Sequence, residues 1–165
     1  MENESMNNNW KMPEDPLISH FKASEMTPEP SMETQPEIAR QYGEKLYRIA
    51  KIFYDKADLT VAEKYFSKSL DFVVFPRDVF TTLKINGFLI RIYSEKLEQN
   101  LAEKHIDDSE KIINEYSKVA GSLTAEYFYY LGANQSYRGI FKESLENFKL
   151  ALQKSEEENE PELKA

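Results

Sequence analysis

Apolar residues recur at helical spacing in three separate stretches of the chain, and each stretch is broken once near its middle. The first follows Glu37: Leu46, Ile49, Ala50 and Phe53 form one run, and Leu59, Ala62, Phe66 and Leu70 another, in which only small Ser69 is polar. Lys56 to Asp58 supplies the turn between them. The second stretch, 77 to 120, opens with Phe80, Leu83, Phe88, Leu89, Ile90, Ile92 and Tyr93, an apolar set that covers nearly all sides of a helix and predicts burial all round. Ser109, Ile113 and Tyr116 mark its second helix. The third, 125 to 151, reads as two short helices with a turn at Gly139, carrying Phe128, Leu131 and Gly132 before it and Phe148 and Ala151 after it. The pattern predicts an all-α domain of three antiparallel helix hairpins.

These positions resemble the tetratricopeptide repeat. Leu46, Ile49 and Ala50 take the places of that family's Trp, Leu and Gly, Phe53 that of its Tyr, and Ala62, Phe66 and Ser69 those of its Ala, Phe and Ala. Phe128, Leu131, Gly132, Phe148 and Ala151 match in the last stretch, which departs from the family at Gln135, Ser144 and Glu156. In the middle stretch Gly87 is matched to the helix-crossing glycine. Small residues at such positions let two backbones approach while an aromatic ring fills the space alongside. The resemblance implies a right-handed superhelix over residues 37 to 156. It also serves as a ruler. Ala62 and Ser144, equivalent in the first and last repeats, are 82 residues apart, 14 more than two 34-residue periods. The expectation is a lengthened middle hairpin, with residues 95 to 108, EKLEQNLAEKHIDD, extending both its helices by roughly 10 Å. A disordered loop is the alternative, although Leu97, Leu101 and Ile106 keep near-helical spacing.

Charge separates the ends from the body. The net charge of −8 resides in residues 1 to 36, with seven acidic and two basic residues, and in the tail from Lys154, with five and two. Between them acidic and basic residues balance. Prolines at 13, 16, 28, 30 and 36 interrupt the first segment and predict a flexible linker. Trp10, Met12, Leu17, Ile18 and Phe21 are dense for a spacer, and a second reading is that they dock as a short peptide on a groove. Residues 157 to 165 read as an acidic tail.

Composition narrows the chemistry. Without cysteine there is no disulfide, thiolate nucleophile or cysteine-ligated zinc. No stretch reaches the roughly 18 apolar residues of a membrane span, and the polar start lacks the features of a secretion signal, so the expectation is a cytoplasmic protein. Acidic ends disfavour nucleic acid, whose phosphates they repel. Of the two histidines, His20 lies in the proline-rich segment, and His105 with Asp108 reads as an exposed i, i+3 pair. No phosphate-cradling glycine loop, nucleophile elbow or HExxH motif is present. The expectation is a non-enzymatic protein with no catalytic residue, cofactor or metal.

The resemblance implies a concave face lined by the first helix of each repeat. Carried over residue by residue, it places there Glu44, Tyr47, Lys51 and Tyr54, then Lys84, Phe88 and Arg91, then Glu126, Tyr129, Ala133 and Tyr137. Rings interleaved with cations suit an extended or short helical peptide of another protein. Tyrosines at these places equally serve to pack one repeat on the next. The implied function is that of an adaptor or chaperone. The alternative is a structural or oligomerising subunit, a homodimer included, that uses the long central hairpin or the open C-terminal end. The translocator chaperones of type III secretion share the chain's length, acidity and three-repeat plan. Arrays that clamp a C-terminal carboxylate are set aside, because Tyr47, Lys51 and Tyr130 replace most of their basic and asparagine clamp.

Overall fold

The computed structural model describes Pro16, residues 28 to 74 and residues 77 to 159. Six helices order them: α1 (Pro36–Asp55), α2 (Leu59–Leu70), α3 (Val79–Glu95), α4 (Gln99–Val119), α5 (Ala125–Tyr137) and α6 (Phe141–Asn159). They form three hairpins, and no strand occurs among the described residues. Packing follows chain order, each helix lying on the next, with α3 also against α5. The expected domain, 37 to 156, gains a few residues, since α6 continues through Glu157 and Glu158 of the expected tail. Glu158 Oε1 accepts from the Ala125 amide at 3.2 Å, which holds that last turn against the start of α5. Trp10, Leu17, Ile18 and Phe21 lie outside the described residues. Met32 packs on the first core, and Lys68 of α2 pairs with Glu29.

The three hairpin turns are built alike. Each has a residue in the left-handed region, Ala57 (φ 58°), Leu97 (φ 60°) and Gly139 (φ 76°). The following amide reaches back five residues: Asp58 to Phe53, Glu98 to Tyr93 and Ile140 to Gln135, at 2.9, 2.8 and 2.9 Å. This is the Schellman closure, in which a left-handed residue lets the chain satisfy carbonyls that the helix end leaves open. Glycine suits that place because any Cβ is crowded there. Leu97 is 81% exposed, so its side chain contributes little packing in return. Leu97→Gly is expected to raise stability by about 1 kcal/mol, read as a higher urea midpoint; a lower midpoint would refute the strain.

Counting from these turns aligns the hairpins and revises the middle one. The left-handed residues are 40 and then 42 residues apart, so the surplus over a 34-residue period divides between both intervals. It is not an extension of the central tip: the segment 95 to 108 contains the turn itself, at Lys96 to Glu98. The extra residues lie at the other end, in the connection between α2 and α3 and in the 21-residue α4. The alignment also replaces Gly87 by Ile90 as the counterpart of Ala50 and Gly132. Asn86 then matches Leu46 and Phe128, Ala102 matches Ala62 and Ser144, and Ser109 matches Ser69 and Ala151.

In the first and third hairpins a buried serine ties the second helix to a glycine carbonyl of the first, from different positions along the helix. In the first, Ser69 Oγ donates to the Gly43 carbonyl at 2.9 Å, and a Cβ on Gly43 would lie 2.6 Å from that of Phe72. In the third, Ser144 Oγ donates to the Gly132 carbonyl at 2.8 Å. Between hairpins, Phe66 stacks on Phe88 with centroids 4.8 Å apart and planes at 9°, while Leu46, Ile49, Ile85, Leu89 and Ile92 close the first core. Val79, Leu83, Ile113 and Tyr127 form a second, smaller one. Ions at the turns join the hairpins as well. Lys96 pairs with Glu63 of α2, and Arg138, its counterpart, with Asp107 and Glu110 of α4 at 2.7 Å.

Candidate functional site

Helices α1, α3 and α5 present their faces to one groove of about 370 Å³, with α4 contributing Ser109 behind them. That volume lies within the usual range for ligand sites. Tyr47, Lys84, Phe88, Arg91, Tyr129 and Tyr137, six of the eight partner-binding residues expected from the sequence, line it, and Ala133 joins them. The other two lie beside it. Lys51 forms an ion pair with Asp55 at 2.7 Å, its ammonium 5.9 Å from the Phe88 ring, and Tyr54 sets its ring edge-on to Phe88 at 5.0 Å. Phe88 therefore has two tasks, inter-hairpin packing on one face and groove wall on the other.

The register of α3 explains why the groove has cations. Lys84, Gly87 and Arg91 follow one another at i, i+3 and i+7, a single face of the helix. Gly87 lies between the two charges, and a Cβ there would approach only the Tyr137 hydroxyl, at 3.8 Å. The position first matched to a helix crossing thus forms part of a groove floor. The neighbouring Tyr137 hydroxyl, and with it Tyr54, raises the pKa of Arg91, and its guanidinium is 6.0 Å from the Phe88 centroid. Neither Lys84 nor Arg91 forms a salt bridge among the described residues. Burial pushes the Tyr130 hydroxyl above its ordinary pKa, and Tyr129, Glu126 and Tyr47 add to the effect, so it stays a neutral hydroxyl.

Six lining residues fall outside the face expected from the sequence: Leu83, Gly87, Ile90, Ser109, Tyr130 and Asn134. Asn134 is 5% exposed, and its Oδ1 has no hydrogen-bond partner. An amide oxygen left this way costs about 1–3 kcal/mol. Beneath the groove, Asn86 is satisfied instead. Its Nδ2 donates to Ser109 Oγ at 3.1 Å, its Oδ1 lies 3.1 Å from His105 Nδ1, and Ser109 Oγ donates to the His105 carbonyl at 2.8 Å.

His105 is therefore a tie between α3 and α4, stacked on Tyr93 at 5.6 Å, rather than half of an exposed pair with Asp108. The helix face that carries it turns inward because Ala102, Ile106 and Ser109 beside it are buried. Burial lowers its pKa, Asp108 opposes this and Lys104 adds to it. A histidine whose folded pKa lies below the unfolded value favours the fold when neutral. Its contribution is complete above the unfolded value of about 6.5 and declines as pH falls through that value toward the folded one. Urea titrations from pH 7.5 to 5 are expected to show a loss of stability that His105→Gln lacks; an identical pH profile for the variant would exclude His105 as the cause.

Among the described residues no helix is long and apolar enough to cross a membrane, and no group of three or more His, Asp or Glu is arranged to hold a metal ion. Compared with known proteins, the chain matches no family model and no curated protein.

Proposed function

We propose that the chain is a non-enzymatic protein-binding module, an adaptor or chaperone of tetratricopeptide type, that holds a peptide segment of a partner in the groove between α1, α3 and α5. The observation that carries this reading is the composition of the groove. Four tyrosines and a phenylalanine wall it, two cations without carboxylate partners stand in it, and small Gly87 and Ala133 leave room for a backbone. Aromatic walls supply contact area at low entropy cost, as at the centres of protein interfaces. Three turns of one design, in a chain of stacked hairpins, support the repeat reading.

A second reading rests on α6. Phe141, Leu145 and Leu152 are 71%, 55% and 63% exposed and share one face of the helix. The counterpart face of α2 carries Leu59, Glu63 and Leu70, and there Glu63 bonds to α3. The apolar face of α6 favours a structural or self-associating role for that end.

Affinity capture from the native cell with mass spectrometry tests both readings. Tyr129→Ala combined with Lys84→Ala, checked for fold by circular dichroism, is expected to reduce recovery of the partner to about a tenth, the equivalent of about 1.4 kcal/mol. Recovery unchanged by that pair but lost in Leu145→Glu would move the binding surface from the groove to α6.

A further inference from the structure

We infer that the groove selects a segment in polyproline II conformation bearing two acidic side chains three residues apart, one directed to Lys84 and the other to Arg91. The inference rests on the peptide-groove reading and adds the ligand's chemistry and spacing.

Charge gives the first half of the argument. Several carboxylates are engaged with cations: Asp55 with Lys51, buried Asp78 with Arg40, Glu63 with Lys96, Asp107 and Glu110 with Arg138. Lys84 and Arg91 form no such pair among the described residues, and both line the groove. Arg91 lies over the Phe88 ring, its guanidinium 6.0 Å from the centroid, which places its charge at the groove wall. A guanidinium there can donate two parallel hydrogen bonds to a carboxylate.

Spacing gives the second half. Seven residues of helix separate the two cations, about 10.5 Å along the axis of α3. In polyproline II three residues advance about 9.3 Å and complete one turn, so side chains at i and i+3 point the same way. The flexible lysine stem takes up the remaining difference. A β-strand places same-side residues about 6.8 Å or 13.6 Å apart, too near or too far. The groove's volume of about 370 Å³ suits a few extended residues better than a helix about 10 Å across. Tyr47, Phe88, Tyr129 and Tyr137 offer the aromatic surface on which proline-rich segments pack. Gly87, between the cations, lets the ligand backbone come close.

Fluorescence anisotropy of the full chain with labelled nine-residue peptides on a proline-rich background tests this. Glutamates are placed two, three or four residues apart, and a control carries glutamines at the three-residue spacing. The three-residue peptide is expected to bind at least about fivefold more tightly than the other spacings and about tenfold more tightly than the control. Lys84→Gln and Arg91→Gln should each abolish the spacing preference and weaken the dependence on salt. Equal affinity at all spacings, or equal binding of the glutamine control, overturns the inference. If that control binds well and Tyr129→Ala abolishes it, the groove reading survives and only the acidic motif fails. If no peptide binds at millimolar concentration, the motif is again rejected, and the partner capture described above decides the groove reading separately.

Discussion

Phe66→Ala is expected to cost about 3–5 kcal/mol, the usual range for removing a buried ring from a core. Phe66 is fully buried and supports three rings at once: Phe88 stacked at 4.8 Å, Tyr47 at 5.8 Å and Tyr54 at 6.5 Å. Two of these, Phe88 and Tyr47, are walls of the groove, so loss of packing between the first two hairpins also loosens the site. The urea midpoint should fall with the slope unchanged if the native and unfolded states keep their exposed areas. A domain of this kind has about 5–15 kcal/mol in all, and the loss is a large part of that. A measured cost below about 1 kcal/mol would show that the second hairpin does not depend on this stack.

Two glycine-to-alanine substitutions are expected to act in opposite directions, although both lie inside helices. Gly43→Ala brings a methyl to 2.6 Å from the Phe72 Cβ, an atom fixed by its own backbone. Overpacking of this sort costs about 1–3 kcal/mol and is offset in part by about 1 kcal/mol of helix propensity, for a net loss of up to about 2 kcal/mol. Gly87→Ala meets only the Tyr137 hydroxyl at 3.8 Å. It should raise stability by about 0.5–1 kcal/mol and, if the proposed peptide groove is the binding site, weaken capture of a partner, because the methyl stands on the groove floor. Stabilisation by both variants, or by neither, would refute the difference in their surroundings.

The contrast between these glycines marks where the sequence was legible. Leu46, Ile49, Ala50, Ala62 and Phe66 repeat at helical spacing on partly polar helices, so their phase is readable, and all are buried. Helix α3 offers no such phase. It is apolar on nearly every side, and a glycine at 87 drew the register three residues away from Ile90. The turn at Leu97 carried no glycine, proline or asparagine to announce it, since backbone hydrogen bonds hold a leucine in the left-handed region. A quieter signal was present: Ala62-Glu63-Lys64 recurs as Ala102-Glu103-Lys104, 40 residues later. That interval equals the separation of the two turns. Six of the expected groove residues came together because the first and third hairpins fixed their own registers, and because Lys84, Phe88 and Arg91 face the groove whichever residue crosses α4. Asn134 gave no sign. Whether a buried amide is left without a partner depends on neighbours from several helices.

The exposed face of α6 has a use in design. Where α2 and α4 are each covered by the following hairpin, among the described residues α6 is the last helix of the stack and leaves Phe141, Leu145 and Leu152 exposed. A further helical hairpin, joined after Asn159 and designed to lie on those three residues, has a prepared surface to fold against. The chain is thus a scaffold that can be lengthened from one end without altering the groove at its centre.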